Sequence, residues 1–209
     1  MRETPKAARY YLCKNSRDDT VDNPQQTIDR ADIGWLAGVI DGEGSVLLFL
    51  GVRKGKLNNV SPQVIIGNTD TALIDKYVDI CRRLRIGVHV SERKPRPGGA
   101  PGMAPKRAKA YKPLYAASTT GFMRVKTMLE VVTPYLVGAK AERAKLIGEF
   151  IEKRLAKGTR GGANRAHWPS TPYDETDLRL ILKVLSHQHS KHTPVVEGML
   201  RDYTRGRGS

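Results

Sequence analysis

The chain has 209 residues, enough to bury one sizeable core with a small appendage. No apolar run is long enough to cross a bilayer, and the basic, polar N-terminus is not expected to be a secretion signal. Two distant cysteines, Cys13 and Cys81, fit neither a disulfide framework nor a zinc site, so a reducing interior is expected. The net charge of +15, with an isoelectric point near 10.0, calls for a polyanionic partner.

The charge is not spread evenly. Residues 30–157 carry 23 basic and 11 acidic side chains, a net +12, whereas residues 1–29 are neutral and 158–209 carry only +3. The basic character therefore belongs to the middle of the chain rather than to a tail. No basic amphipathic helix stands out, so nucleic acid is the expected partner, not a membrane.

Residues 1–29 mix charges with Asn, Gln and Thr and read as an irregular arm with at most one helical turn. Asp29 or Asp32 is placed to cap the helix that follows. That helix carries Gly34, Gly38 and Gly42 at every fourth residue, along one face. Interior glycine costs about 1 kcal/mol relative to alanine, so three on one stripe call for the close approach of a second backbone. Asp41 and Glu43 end the helix, where the macrodipole disfavours negative charge and a cation or donor is expected nearby. Gly42 or Gly44 as a C-capping glycine beside solvated acids is the plainer alternative.

Ser45–Arg53 is a strand, Lys54–Asn59 a hairpin loop, and Gln63–Ile66 a second strand. Asp70–Arg85 returns to helical spacing with Leu73, Ile74, Tyr77, Val78 and Cys81 on one face. Ile86–Arg93 alternates as a third strand, a Pro-, Gly- and Lys/Arg-rich loop covers 94–112, and Leu114–Ser118 is a short fourth strand. Two helices, about Phe122–Val132 and about Lys140–Leu155, flank Pro134. The Gly158–Gly162 linker opens an extension with one expected helix, Thr171 at its N-cap and Pro172 at its first position. Leu178, Ile181, Leu182 and Leu185 would line its buried face, and the end from Arg201 would fray. The domains are thus an arm (1–29), a core (30–157) and an extension (158–209). The core order, helix, two strands, helix, two strands, helix, helix, is an α+β layout with one sheet face on helices and the other free.

Leu36-Ala-Gly-Val-Ile-Asp-Gly-Glu-Gly44 resembles the LAGLIDADG motif of homing endonucleases, with Val, Gly and Glu at three places. Pro134-Tyr-Leu-Val-Gly-Ala-Lys140 resembles the family's proline–aromatic–leucine–glycine–lysine segment, with Ala139 as one extra residue before the lysine. The order of elements is also that of a single LAGLIDADG core domain. The resemblance implies the LAGLIDADG homing-endonuclease fold, whose antiparallel four-stranded sheet saddles DNA, here with a small helical C-terminal extension. It implies a site-specific double-strand endonuclease of the intron-encoded type, dependent on Mg²⁺ with Mn²⁺ as a substitute. One motif per chain implies a homodimer on a roughly palindromic duplex. In the family the last acid of the motif binds the metal with the preceding backbone carbonyl, here Glu43 and Gly42. Asp41 matches the interface acid, and Gly34, Gly38 and Gly42 the helix contact. Lys140 matches the lysine near the scissile phosphates and Asn68 a polar position that orders active-site water.

On the free sheet face, alternation from Glu43 places Ser45, Leu47, Phe49, Gly51 and Arg53 outward, with Val46, Leu48, Leu50 and Val52 in the core. His89, Ser91 and Arg93 are the outward set of the third strand, and Gln63 is the analogous choice on the second. Lys54, Lys56 and the Arg96–Lys109 loop are assigned to phosphates, which set register without selecting sequence. His187, His189 and His192, with His167, read as a solvated helix end rather than a zinc site, and Trp168 as a docking anchor for the extension. The alternatives are an RNA maturase acting on its own intron, or a DNA-binding protein of the same fold that does not cut. Neither needs Glu43 or Lys140. A basic ribosome-associated protein would explain the charge but not the motif. An intracellular, DNA-containing compartment is the expected location.

Overall fold

The structure is a computed structural model and describes residues 10–11, 28–93, 113–157, 172–188 and 190–205. In chain order the described elements are β1 (Tyr10–Tyr11), α1 (Arg30–Glu43), β2 (Gly44–Arg53), β3 (Lys56–Asn68), α2 (Thr71–Arg83), β4 (Val88–Arg93), β5 (Leu114–Thr120), α3 (Phe122–Val132), a 3₁₀ turn (Thr133–Tyr135), α4 (Gly138–Ala156), α5 (Glu175–Ser186) and α6 (Thr193–Arg205). Strand order is β1-β4-β5-β3-β2, the four long strands of an α+β fold with the two-residue β1 added at one edge. The chain divides into two compact units, one of Met1–Gly44 with Ile65–Thr119, the other of Ser45–Val64 with Thr120–Ser209. None of the described helices is long and apolar enough to cross a membrane.

In the first unit, α1 starts where Asp29 accepts a hydrogen bond from the Asp32 amide at 2.7 Å, so Asp29 is the cap. Leu36, Ala37 and Ile40 form its buried stripe. Gly44 ends the helix in an extended conformation, its amide donating to the Ile40 carbonyl. A Cβ at Gly44 would lie 2.8 Å from both the Cα and the carbonyl oxygen of Ile40, so only glycine fits. Two contacts hold α2 to α1: Arg83 pairs with Asp32 at 2.6 Å, and Lys76 lies 4.6 Å from the centre of the Trp35 ring.

The buried face of α2 is Ile74, Tyr77, Ile80 and Cys81; Leu73 and Val78, expected there, are only half-buried. Burial pushes the Cys81 thiol up to about 12, against the opposing hydrogen bond from Tyr77. β4 and β5 pair antiparallel with His89 opposite Ser118, Ser91 opposite Ala116 and Arg93 opposite Leu114. On its other edge β4 pairs with β1, Tyr10 opposite His89. This corrects the irregular reading of the arm at those two residues; the rest of the arm before Ile28 lies outside the described residues, as does the 94–112 loop.

In the second unit, β2 alternates as far as Leu50, with Val46, Leu48 and Leu50 buried; Val52, expected in the core, is only half-buried near the turn. It turns into β3 through Lys54 and Gly55 alone, with φ of 51° and 72°. Two positive φ values match the right-handed twist of a two-residue hairpin. β3 therefore starts at Lys56, seven positions before the strand expected from Gln63. Asn58, Asn59 and Pro62 read locally as loop residues. Pro62 offers no amide, but its carbonyl accepts from Gly121 at 3.3 Å, so it is tolerated within the strand.

α3 and α4 pack through Val125, Met128, Leu129 and Val132 on one side and Ala144, Ile147, Phe150 and Ile151 on the other. Phe122 and Phe150 meet with ring centres 6.0 Å apart.

Residues 172–205 carry two helices where one was expected. The N-cap is Asp174, not Thr171: Asp174 accepts from the Asp177 amide at 2.9 Å and the Asp177 side chain accepts from the Asp174 amide at 3.2 Å. Pro172 consequently precedes the helix instead of opening it. Asp177 is fully buried and also takes the Arg154 guanidinium at 2.8 Å and Lys157 at 2.8 Å. α5 is thereby pinned to α4. Asp177→Ala strips Arg154 of its carboxylate inside the core, for an expected loss of about 3–5 kcal/mol. Urea unfolding should show this as a lower midpoint at unchanged slope.

Candidate functional site

The C-terminal turn of α1 is the chemically loaded part of the first unit. It holds Asp41 and Glu43 with no basic residue in the same turn. Glu43 is exposed, the last helical residue, and Gly42 before it is exposed as well. The last carbonyls of any helix lack intrahelical donors and carry partial negative charge. A carboxylate beside such carbonyls is an all-oxygen donor set, which suits a hard cation such as Mg²⁺. Among the described residues no group of three or more His, Cys, Asp or Glu side chains converges at this point or elsewhere.

The glycine stripe of α1 faces away from its buried stripe. Gly34, Gly38 and Gly42 are all exposed, and a Cβ added at any of them would meet nothing within 4 Å. Nothing within the described residues therefore demands glycine there.

Asn68 ends β3, and the α1 terminus comes close to that end: the Cβ of an Ala at position 44 would lie 3.1 Å from Ile66 Cγ2. The Asn68 Oδ1 accepts from the Asp70 amide at 2.9 Å, and Asp70 in turn caps α2 through the Ala72 amide. The Asn68 oxygen is thus committed to a turn; its Nδ2 is the group left to donate.

In the second unit, Lys140 stands half-buried in the first turn of α4. That end has no side-chain cap and no acid in its first turn, so a lysine there adds to the positive pole of the helix. Such an end accepts phosphate oxygens.

The outward face of β2 is as expected. Ser45 and Arg53 are exposed, Leu47 and Gly51 half-buried, and Phe49 is 52% exposed. Asn59 fills the space above Gly51, its Oδ1 lying where a Cβ would stand. Gln63 is half-buried on β3. On β4, His89 and Ser91 are half-buried and Arg93 exposed, all on the face opposite Val88. The register adds Ser118 on β5, whose hydroxyl donates to the His89 carbonyl at 3.4 Å. It was missed because Ala116 and Ala117 are both buried and blur the alternation of that strand. Of the four histidines weighed for zinc, His167 and His189 lie outside the described residues, as does Trp168.

Lys54 and Lys56 sit exposed at the β2–β3 turn. Because Lys54 has a positive φ, alanine there would combine charge loss with backbone strain, whereas asparagine tolerates the conformation. Lys54→Asn should weaken binding to all duplexes alike and flatten the salt dependence by about one unit, read from binding titrations over a salt series.

No protein-family model and no curated protein matches the chain. Solved structures do. The homing endonuclease I-CvuI, in complex with its target in the presence of 2 mM Ca, is 22% identical over 85% of this chain and 95% of its own, with a TM-score of 0.52. The archaeal intron-encoded homing endonuclease I-Vdi141I, complexed with DNA, is 13% identical over 80% of this chain and 96% of its own, with a TM-score of 0.50. The likeness is one of fold.

Proposed function

We propose that this chain, which has the LAGLIDADG homing-endonuclease fold, is a single-motif member of that family. It would act as a site-specific, divalent-metal-dependent DNA endonuclease of the intron-encoded type. The observation that carries this reading is α1: an exposed, glycine-lined face with open space at three successive turns, ending on an exposed glutamate. Two copies of that face would meet at backbone distance about a two-fold axis running along the helices, with the two Glu43 carboxylates at one end of the pair. The pair would span the two strands of a near-palindromic duplex.

Glu43 and the Gly42 carbonyl are the groups that would hold Mg²⁺, with Mn²⁺ as a substitute. A divalent cation bound there supplies water activation and charge neutralisation at the scissile phosphate. Lys140, at the positive end of α4, would donate to the phosphate oxygens as negative charge develops. Asn68 would orient the attacking water through Nδ2. Ser45, Arg53, Gln63, His89, Ser91 and Arg93 present polar groups on outward strand faces, the width of ribbon that enters a major groove. The net +12 of residues 30–157 supplies the sequence-independent part of the affinity.

The test is a cleavage selection on a library of near-palindromic duplexes. Cut sites recovered in Mg²⁺ should share a two-fold consensus, and a chelator should stop cleavage while leaving the protein folded. Selective binding with no cutting in Mg²⁺ or Mn²⁺ would return the chain to the non-cleaving reading. Cutting that persists in chelator would remove the metal from the account.

A further inference from the structure

β2 is the last strand in the sheet order, so among the described residues one of its edges has no strand partner. Such an edge leaves amides and carbonyls of alternate residues unpaired and free to shift or to recruit another strand. Here those of Leu48, and the carbonyl of Val46, are taken up by side chains from far along the chain. Gln188, just after α5, accepts from the Leu48 amide at 3.0 Å and donates to the Leu48 carbonyl at 2.8 Å. Its primary amide thus reproduces, at one residue, the paired bonds of a neighbouring strand. Two residues along the same edge, Arg143 of α4 donates to the Val46 carbonyl at 3.3 Å. The same guanidinium donates to the His187 carbonyl at 2.5 Å, next to Gln188, so the two clamps brace each other.

Leu48 is buried, and its neighbours Leu47 and Phe49 point to the opposite, outward side. Fixing the backbone of Leu48 in the plane of the sheet therefore fixes the height and tilt of Leu47 and Phe49. We infer that Gln188, braced by Arg143, is a positioning residue for DNA selectivity: it holds β2 at the setting in which Leu47 and Phe49 meet the base edges. This rests on the reading of the outward face of β2 as DNA-facing. It gives Gln188, between α5 and α6, a role in recognition that needs no contact of its own with nucleic acid. Apolar contacts of this kind discriminate thymine by its methyl group, and their discrimination depends on placement.

The test uses the full chain and two variants. Gln188→Met keeps the length of the side chain without either hydrogen bond, and Gln188→Glu keeps an acceptor for the Leu48 amide while setting a carboxylate against the Leu48 carbonyl. Hydrogen exchange at the Leu48 amide reads the clamp; a binding selection on randomised duplexes reads selectivity base by base. Gln188→Met should lose protection at Leu48. It should also relax selectivity about tenfold at the few positions facing Leu47 and Phe49, the worth of a single base contact, with other positions and the salt slope unchanged. Gln188→Glu should fall between wild type and Gln188→Met in protection. A variant that loses Leu48 protection yet keeps the wild-type selectivity profile would make the clamp merely structural and overturn the inference. So would a uniform loss of affinity at every position. Wild-type protein with no base preference at all would instead fail the DNA reading, and the inference with it. Should the Gln188 variants unfold, Arg143→Lys, which shortens the brace and leaves Gln188 in place, should give a weaker change at the same positions; an unaltered profile there also overturns it.

Discussion

Glu43→Gln is expected to abolish DNA cleavage, by about a thousandfold or more, while leaving affinity for the target nearly unchanged. Glutamine keeps the size of the side chain but is a poor ligand for a hard cation, which prefers carboxylate oxygen. The position gives the experiment a clean reference. Glu43 is exposed at the end of α1, in a turn that already carries Asp41 and no basic residue. Removing a negative charge from the negative pole of a helix does not destabilise it. The variant should therefore melt no lower than wild type, so a lost activity cannot be assigned to unfolding. Steady-state cleavage of a matched duplex, beside a binding titration and a melting curve, reads all three. Undiminished cleavage by the variant would rule out Glu43 as the metal ligand.

The second large effect is expected at Gly38. Gly38→Leu puts a bulky side chain on the exposed stripe of α1. Within the described residues that side chain has room, since a Cβ there meets nothing within 4 Å. Helix propensity alone should raise the stability of the single chain by several tenths to about 1 kcal/mol. Between two copies there would be no such room, because close approach of helix backbones depends on the missing side chain. The expected result is a folded monomer in sedimentation that no longer cuts both strands. Gly38→Ala should weaken the dimer less. If Gly38→Leu still sediments as a dimer and still cuts, the glycine face is not where two chains meet.

These predictions rest on features of very different legibility. A cap at Asp29 or Asp32 and the burial alternation of β2 follow from short-range rules; the folded chain takes Asp29, and β2 alternates as far as Leu50. A cap needs a side-chain oxygen three residues from an amide, and alternation needs only a partner face. The LAGLIDADG-like nonapeptide belongs to the same class, since its glycines and acids report on one helix. Short-range rules also misled where a residue type has two uses. Asn58, Asn59 and Pro62 favour turns in isolation, yet they lie inside a 13-residue strand. Thr171 and Pro172 looked like a helix start, but the reciprocal pair Asp174 and Asp177 starts α5 instead. Asn68 carries its oxygen in a turn as well as standing at a candidate water site.

What the sequence determined by itself is therefore the succession of helices and strands between residues 30 and 157, the faces of β2 as far as Leu50, and the helix that carries Glu43. Each depends on interactions within a few residues. The tertiary structure alone decided the two-residue hairpin with its long β3, the pairing of β1 with β4, the burial of Asp177 against Arg154, and the hold of Gln188 on Leu48. The last joins residues 140 positions apart. Side chains so distant leave no periodic trace in a sequence, because only the packed chain brings a glutamine to the outer edge of β2.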